Sequence, residues 1–271
     1  MPDGAPPPSE HRRSVAGGTD VTRRASALPG RPVGLLACDL DGTLLDPSGS
    51  PVDGVGSALN MLQEKGVRVA VCTGRPLHVA QRLTERISFT PVAYVCYHGA
   101  LIVDGVSGLW LKHLSLNPAI VRSVLAAGRA AGMEVTLYEG DDRRTGTVEP
   151  TELAGVTRVI LAGEAESVAS LGAALRARWG RRVRIDAVET GVIDVLNGAV
   201  DKGSALLFLA RMLGVSRASI VACGDGLSDV TMLQAAALAI AVGDAPTDVR
   251  VVADHVVPQA KLAAFFRGLV V

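Results

Sequence analysis

The chain has 271 residues, of which 48% are hydrophobic, so it can bury one large core or two smaller ones. Lysine plus arginine and aspartate plus glutamate number 27 each, so no net field favours nucleic acid or an anionic membrane. Aromatic residues are only 3%, which argues against a base-stacking surface, and no apolar run approaches the ~18 residues of a membrane span.

Residues 1–31 contain many proline, glycine and arginine residues and almost no apolar ones. This composition predicts a disordered tail. The arginine pair at 12–13 is not followed by the apolar segment that a twin-arginine export signal requires. We therefore expect the folded part of the chain to begin near residue 32.

The apolar run at residues 33–37 predicts a strand buried on both faces of a parallel sheet, and it leads into Asp39 and Asp41. Residues two apart on a strand point the same way, with their side chains roughly 7 Å apart. Two carboxylates at that distance repel by about 2 to 3 kcal/mol at an effective dielectric near 20. The pair therefore predicts a bound cation or one protonated carboxylate. A calcium loop is rejected because Leu44 stands where glycine is required, which leaves an ordinary turn as the alternative.

Strand and helix then alternate along the chain. A helix is predicted at 51–66, a strand at 67–72 that delivers Thr73 and Gly74, and a third strand at 92–97 that ends at His98. This order predicts an α/β fold with a doubly wound, mostly parallel sheet. Such sheets bind ligands outside the carboxyl ends of their strands, and a hydroxyl and a free N–H beside a helix start suit an anion.

Residues 113–195 have a different rhythm. Helices are predicted at 117–131 and 165–179, each followed by two strands, with strands at 133–138, 156–161, 182–188 and 191–196. We interpret this segment as a small α+β cap inserted into a core domain formed by 32–112 and 196–271. The charged run at 139–144 predicts a solvated cap loop, with substrate selection as the alternative.

The parallel pattern resumes after the insertion. Lys202 precedes a predicted helix, and a strand at 219–223 runs into Asp225 and Asp229. Carboxylates again follow the carboxyl end of a buried strand. The four cysteines lie in or at the end of apolar runs and form no CxxC pair, which suits a reducing cytoplasm and makes a cysteine metal site the weaker alternative.

Four motifs in this order resemble those of the haloacid dehalogenase superfamily of phosphohydrolases, and the insertion resembles the cap of its Cof-like, type IIB branch. The resemblance covers the chain from about residue 32 to the end. Its motifs are Asp39-x-Asp41-Gly-Thr, Thr73-Gly74-Arg75, Lys202 and Gly224-Asp225-x-x-Ser228-Asp229.

The resemblance implies a role for each of these residues. Asp39 matches the nucleophile, and Asp41 matches the general acid and base. Thr73 and Gly74 match donors to phosphate oxygens, and Lys202 matches the cation that balances phosphoryl charge.

The same resemblance implies a Mg²⁺ ion. Its ligands would be the Asp39 carboxylate, the Asp41 main-chain carbonyl and the Asp225 carboxylate. Asp229 would orient a metal-bound water or bind the metal directly. Ser228 stands where asparagine is usual, either as a phosphate contact or as a helix N-cap.

His98 also stands where asparagine is usual, either as a turn residue or as part of the substrate pocket. Arg75 is interpreted as an ion-pair partner, with anion binding as the alternative.

We therefore expect a cytoplasmic, Mg²⁺-dependent phosphatase that acts on a small phosphorylated metabolite of the sugar or polyol type. No nucleic-acid or membrane partner is expected, and the sequence does not predict an oligomeric state. A sugar phosphomutase and a catalytically inactive relative that binds a phosphorylated ligand are the alternatives.

Overall fold

The computed structural model describes residues 32–145 and 153–270. The predicted disordered tail at residues 1–31 lies outside this range. Within the range, no helix combines the length and the hydropathy that a membrane crossing requires.

The described residues form thirteen strands and eight α-helices. The strands are β1 (Leu35–Cys38), β2 (Arg68–Cys72), β3 (Ala93–Cys96), β4 (Leu101–Asp104), β5 (Trp110–His113), β6 (Glu134–Glu139), β7 (Asp142–Thr145), β8 (Val156–Ala162), β9 (Val183–Glu189), β10 (Val192–Asn197), β11 (Ile220–Gly224), β12 (Leu238–Val242) and β13 (His255–Val257). The helices are α1 (Val55–Glu64), α2 (Leu77–Ile87), α3 (Pro118–Ala130), α4 (Ala165–Trp179), α5 (Lys202–Met212), α6 (Val230–Ala235), α7 (Thr247–Arg250) and α8 (Leu262–Gly268).

The larger sheet has the strand order β13-β12-β11-β1-β2-β3-β4-β5. Its strands run parallel from β13 to β3, and β4 and β5 are added antiparallel. Every residue of β1 is buried: Leu36 belongs to a cluster with α1 and α8, and Leu35 to a cluster with α5 and α6. Burial on both faces explains the continuous apolar run. The predicted doubly wound α/β fold is confirmed.

The smaller sheet is antiparallel, with the strand order β7-β6-β8-β10-β9. One of its faces packs on α3 and α4, and residues such as Val159 and Val195 point to that side. Alternation along the strands sends Tyr138 and Leu196 to the opposite face, where both join the hydrophobic cluster of the larger sheet. The second face of this cap sheet is therefore turned toward the core domain.

Strand β7 was not predicted, and the interpretation of residues 139–144 as a loop is wrong for the backbone. Strands β6 and β7 form a hairpin joined at Gly140, which has a φ of +61°. All four residues of β7 are exposed at the sheet edge. An exposed edge strand needs no apolar alternation, so the usual sequence signal for a strand is missing.

The tip of this hairpin is tied to the core domain. One oxygen of the Asp141 carboxylate accepts hydrogen bonds from the Leu77 amide at 2.7 Å and from the Tyr97 hydroxyl at 2.6 Å. The other accepts from the His78 amide at 3.1 Å. Asp141 therefore caps the first turn of α2, although it belongs to the other domain. The free amide groups at the start of a helix stabilise a carboxylate placed there.

Candidate active site

The predicted site residues follow strands that are neighbours in the core sheet. Strand β1 lies between β2 and β11, so the residues after these three strands meet at one edge. The Asp39 amide donates a hydrogen bond to the Cys223 carbonyl at 3.0 Å, which continues the pairing of β1 with β11. This bond holds the Asp39 carboxylate beside the end of β11. One carboxylate oxygen from each of Asp39, Asp225 and Asp229 lies within 4.8 Å of the others.

Lys202 joins two of these carboxylates. Its Nζ lies 2.7 Å from Asp39 Oδ1 and 2.6 Å from Asp229 Oδ1, and the side chain is buried. The Asp201 side chain accepts from the Ser204 amide at 2.8 Å, which caps α5 and places Lys202 at its first position. Burial alone would lower the pKa of Lys202, but the two carboxylates outweigh it and raise that pKa, so the ammonium stays charged.

The cluster carries more negative than positive charge. Burial raises the pKa of Asp39 to about 8; Lys202 opposes the shift, whereas Asp229 and Asp225 add to it. Burial also raises the pKa of Asp225, against the hydrogen bond from Thr43. If all three carboxylates were ionised against one ammonium, two negative charges would be unbalanced, so Asp39 keeps its proton near neutral pH unless a cation binds. An all-oxygen donor set with this excess charge fits a hard divalent cation.

Asp229 has both carboxylate oxygens engaged by the protein. Besides the bond to Lys202, its Oδ2 accepts from the Asp225 amide at 3.2 Å and from the Gly226 amide at 3.0 Å. These bonds fix the loop that carries Asp225. Because both oxygens are already engaged, the geometry favours the expected role of Asp229 in orienting a metal-bound water over its expected role as a direct metal ligand.

Asp41 lies outside the carboxylate cluster and is half-exposed. Its two oxygens accept from Arg75 Nη2 at 2.8 Å and Nε at 2.9 Å, a bidentate pair that fixes the carboxylate plane. The ion-pair interpretation of Arg75 agrees with this geometry, although its partner was not predicted. The sequence could have indicated Asp41 as this partner, because Asp41 follows β1, Arg75 follows β2, and the residues after two neighbouring parallel strands lie close together.

The turn after Asp41 requires glycine. Gly42 has a φ of +76°, and a Cβ atom there would collide with the Asp225 carboxylate. Thr43 Oγ1 donates to Asp225 Oδ1 at 2.9 Å. The Asp-x-Asp-Gly-Thr motif therefore both supplies carboxylates and positions the acidic residue of a distant strand.

Thr73 is buried, and its Oγ1 accepts from the Arg75 amide at 3.1 Å. The imidazole of His98 packs so closely on Gly74 that a Cβ atom there would clash with it. His98 itself has a φ of +57°, so it is a turn residue. Its ring also borders Gly74, which forms the phosphate-loop candidate together with Thr73. Ser228 is partly exposed; since α6 begins at Val230, directly after Asp229, the interpretation of Ser228 as its N-cap is wrong.

The cysteine alternative finds no support among the described residues. Their only group of potential metal-binding side chains is the aspartate cluster, and the four cysteines are buried and free. Burial raises the pKa of the Cys72 thiol to about 12, so it stays protonated.

A doubly wound sheet with an acidic cluster at its carboxyl edge and an inserted antiparallel cap defines a capped α/β enzyme. The chain belongs to the haloacid dehalogenase-like hydrolase family, whose model matches residues 36–145 and 148–267. The predicted superfamily and its type IIB cap arrangement are confirmed. Members of this family generally use a divalent metal ion, which the acidic cluster fits.

Relatives and solved structures cover most of the chain. HMP-PP phosphatase of Escherichia coli O157:H7 is 26% identical over 241 residues, or 82% of this chain and 88% of the relative. A haloacid dehalogenase-like hydrolase from Bacteroides thetaiotaomicron superposes with a TM-score of 0.77 at 20% identity, over 86% of this chain and 97% of that one. The subclass IIB sugar phosphatase BT4131 gives a TM-score of 0.68 at 20% identity, over 84% and 94% of the two chains.

Proposed function

We propose that this protein is a cytoplasmic, Mg²⁺-dependent phosphatase that hydrolyses a small phosphorylated metabolite through an aspartyl-phosphate intermediate. The observation that carries the proposal is the convergence of Asp39, Asp225 and Asp229 around Lys202 at the carboxyl edge of the core sheet. Four buried, free cysteines are compatible with a reducing compartment.

In the first step, a carboxylate oxygen of Asp39 attacks the phosphorus of the ester. An oxygen–phosphorus bond to Asp39 forms while the bond to the leaving alcohol breaks, and protonated Asp41 gives its proton to the leaving oxygen. In the second step, Asp41 takes a proton from a water molecule as that water attacks the same phosphorus, which releases inorganic phosphate and regenerates Asp39. Arg75 holds both oxygens of the Asp41 carboxylate in this structure. One of these two hydrogen bonds must break when Asp41 carries the proton for the leaving oxygen, because a protonated carboxyl group keeps only one purely accepting oxygen.

The remaining site residues are proposed to bind the phosphoryl group and to balance its negative charge. Lys202 balances the carboxylate of Asp39 and the phosphoryl oxygens, and Thr73, the Gly74 amide and Ser228 donate to those oxygens. A Mg²⁺ ion held by Asp39, the Asp41 carbonyl and Asp225 would neutralise the charge that keeps an anionic phosphate away from this cluster.

The substrate class is proposed to be a sugar or polyol phosphate. The relatives carry the names HMP-PP phosphatase and sugar phosphatase, and both names refer to enzymes that act on small phosphorylated compounds. In this chain the cap packs on the core through Asp141 and the cap-sheet face, which leaves little room for a macromolecular phosphate.

The test is release of inorganic phosphate from p-nitrophenyl phosphate with Mg²⁺ and with a chelator. Asp39→Asn should lower turnover about a thousandfold or more, because the amide cannot act as the nucleophile. Asp53→Asn, an exposed acid before α1, is the matched control and should match the wild-type protein. Normal turnover by Asp39→Asn would remove Asp39 from this role. When a sugar phosphate replaces p-nitrophenyl phosphate, accumulation of an isomer without phosphate release would indicate a mutase.

A further inference from the structure

Three polar side-chain atoms near the junction of cap and core are buried and have no hydrogen-bond partner among the described residues. They are His98 Nδ1, Arg158 Nε and Asp194 Oδ1. Buried polar atoms in folded proteins nearly always have a partner, and an unpaired one costs stability. Two of the three belong to a single pair on the cap sheet.

Arg158 and Asp194 are diagonal neighbours on β8 and β10, on the sheet face turned toward the core. Arg158 Nη2 lies 2.8 Å from Asp194 Oδ2, and their side chains are only 12% and 3% exposed. The ring of Tyr138 lies 5.6 Å from the guanidinium carbon, and Arg158 Nη1 reaches the Gly74 carbonyl at 3.5 Å. The guanidinium is thus held beside the phosphate-loop candidate, since Gly74 belongs to that loop.

A purely structural role explains this pair poorly. A buried ion pair often contributes little to stability compared with apolar residues of similar size, and here each partner also leaves a polar atom unsatisfied. The neighbouring pair on β9 differs, because Arg184 bonds Asp186 at 2.7 Å and also donates to the Val200 carbonyl at 3.1 Å. Arg184 therefore ties the cap to the segment after β10 that returns to the core domain. Arg158 and Asp194, in contrast, keep an unused donor atom and an unused acceptor atom.

We propose that Arg158 and Asp194 bind the leaving group of the substrate and select for hydroxyl groups on it. This inference rests on the proposed phosphatase function. A hydroxyl near Asp194 Oδ1 would donate to it, and a neighbouring hydroxyl oxygen would accept from Arg158 Nε. A polyol phosphate satisfies both atoms, whereas an alkyl phosphate of equal length buries both unpaired, which a site of this kind rejects strongly.

The leaving group reaches these atoms when the cap is open and becomes enclosed when the cap closes. Both atoms are out of contact with solvent in the structure, and Arg158 is in contact with the core through Gly74. Closure would therefore place the hydroxyl-bearing part of the substrate against the cap while the phosphate lies on the core.

The experiment compares kcat/KM, with Mg²⁺ present, for a panel of pentitol and hexitol phosphates and for the n-pentyl and n-hexyl phosphates of equal length. For the wild-type protein, the best hydroxylated probe should exceed its alkyl counterpart by about a hundredfold or more. In the double variant Arg158→Met/Asp194→Leu the ratio should fall below about tenfold. The ratio does not depend on the fraction of folded protein, since the same active molecules hydrolyse both probes.

Two further variants sharpen the result. Asp194→Asn preserves shape but can turn an amide donor toward the substrate, so its ratio should fall as well. Glu139→Gln/Arg144→Gln removes an Arg–carboxylate pair of the same cap that is bonded at 2.8 Å and half-exposed at its arginine, and it should keep the wild-type ratio.

Each outcome decides between the two proposals. A wild-type protein that hydrolyses alkyl and polyol phosphates equally well overturns the inference and leaves the phosphatase function standing. A double variant that keeps the wild-type ratio also overturns the inference. A wild-type protein that releases phosphate from p-nitrophenyl phosphate but from none of these probes overturns the inference alone. A protein that releases phosphate from neither, with or without Mg²⁺, overturns both proposals.

Discussion

His98 combines a strained backbone with a ring that resists protonation. Tyr97 and His98 have φ values of 50° and 57°, a region that side-chain-bearing residues seldom adopt. Burial lowers the pKa of His98 to about 3, and the cations Lys202, Arg184 and Arg158 act in the same direction. The folded protein therefore holds a neutral imidazole at pH values where an unfolded histidine is charged.

This difference predicts a pH-dependent stability. Between pH 6.5 and about 3 the unfolded state binds more protons at His98 than the folded state, so the free energy of unfolding falls as pH falls. The slope from this residue reaches at most about 1.4 kcal/mol per pH unit. His98→Asn should reduce the slope, since asparagine does not titrate and tolerates a positive φ. Urea unfolding at several pH values measures it.

The matched control is His255→Asn, a partly exposed histidine on the edge strand β13. It should retain the wild-type slope. Some slope should also remain in His98→Asn, because burial lowers the pKa of His113 as well. If His98→Asn and the wild-type protein show the same slope, His98 is charged in the folded state and its assigned environment is wrong.

At the scale of elements, helix α2 depends on a residue of the other domain. The residue before α2 is Pro76, whose side chain makes no capping bond, and the Asp141 carboxylate occupies that place. Burial raises the pKa of the Tyr97 hydroxyl, and its bond to Asp141 adds to the shift, so Tyr97 remains a proton donor to the same carboxylate. The hairpin tip thus works as a latch between the cap and the core.

Asp141→Ala should expose the first turn of α2. We expect amide exchange at Leu77 and His78 to quicken about tenfold, which corresponds to roughly 1.4 kcal/mol, within the range for a lost helix cap. Hydrogen exchange followed by NMR measures it. Asp142→Ala is the control, because Asp142 is the next residue and is exposed. Equal exchange in the two variants would show that the latch does not protect α2.

For the whole molecule, the sequence predicted the sheet better than the contacts between domains. Apolar runs such as residues 33–37 predict buried parallel strands directly, and the order of the chain then places their carboxyl ends together. Strand β7 was missed because an exposed edge strand carries no apolar pattern. The family and its type IIB cap were predicted correctly from four short motifs and the helix-strand-strand rhythm.

The site was predictable only where the core sheet sets the geometry. The structure brings Asp39, Asp225, Asp229 and Lys202 together, although their catalytic roles stay predictions. The latch at Asp141 and the pair formed by Arg158 and Asp194 were not foreseen. Both depend on how a cap folds back on a core, and no local periodicity in the chain encodes that arrangement.

The excess charge at the carboxyl edge predicts how metal should act on the stability of the whole molecule. A cation that binds only the folded state stabilises it by about 2.7 kcal/mol at a concentration one hundred times its Kd. Mg²⁺ should therefore raise the melting temperature by several degrees over the protein in chelator. Asp225→Asn should remove most of this increase and, with chelator present, should melt above the wild-type protein because one repelling carboxylate is gone. Asp53→Asn, which lies outside the cluster, should respond to Mg²⁺ as the wild-type protein does. An Asp225→Asn variant with the full Mg²⁺ response would place the metal elsewhere.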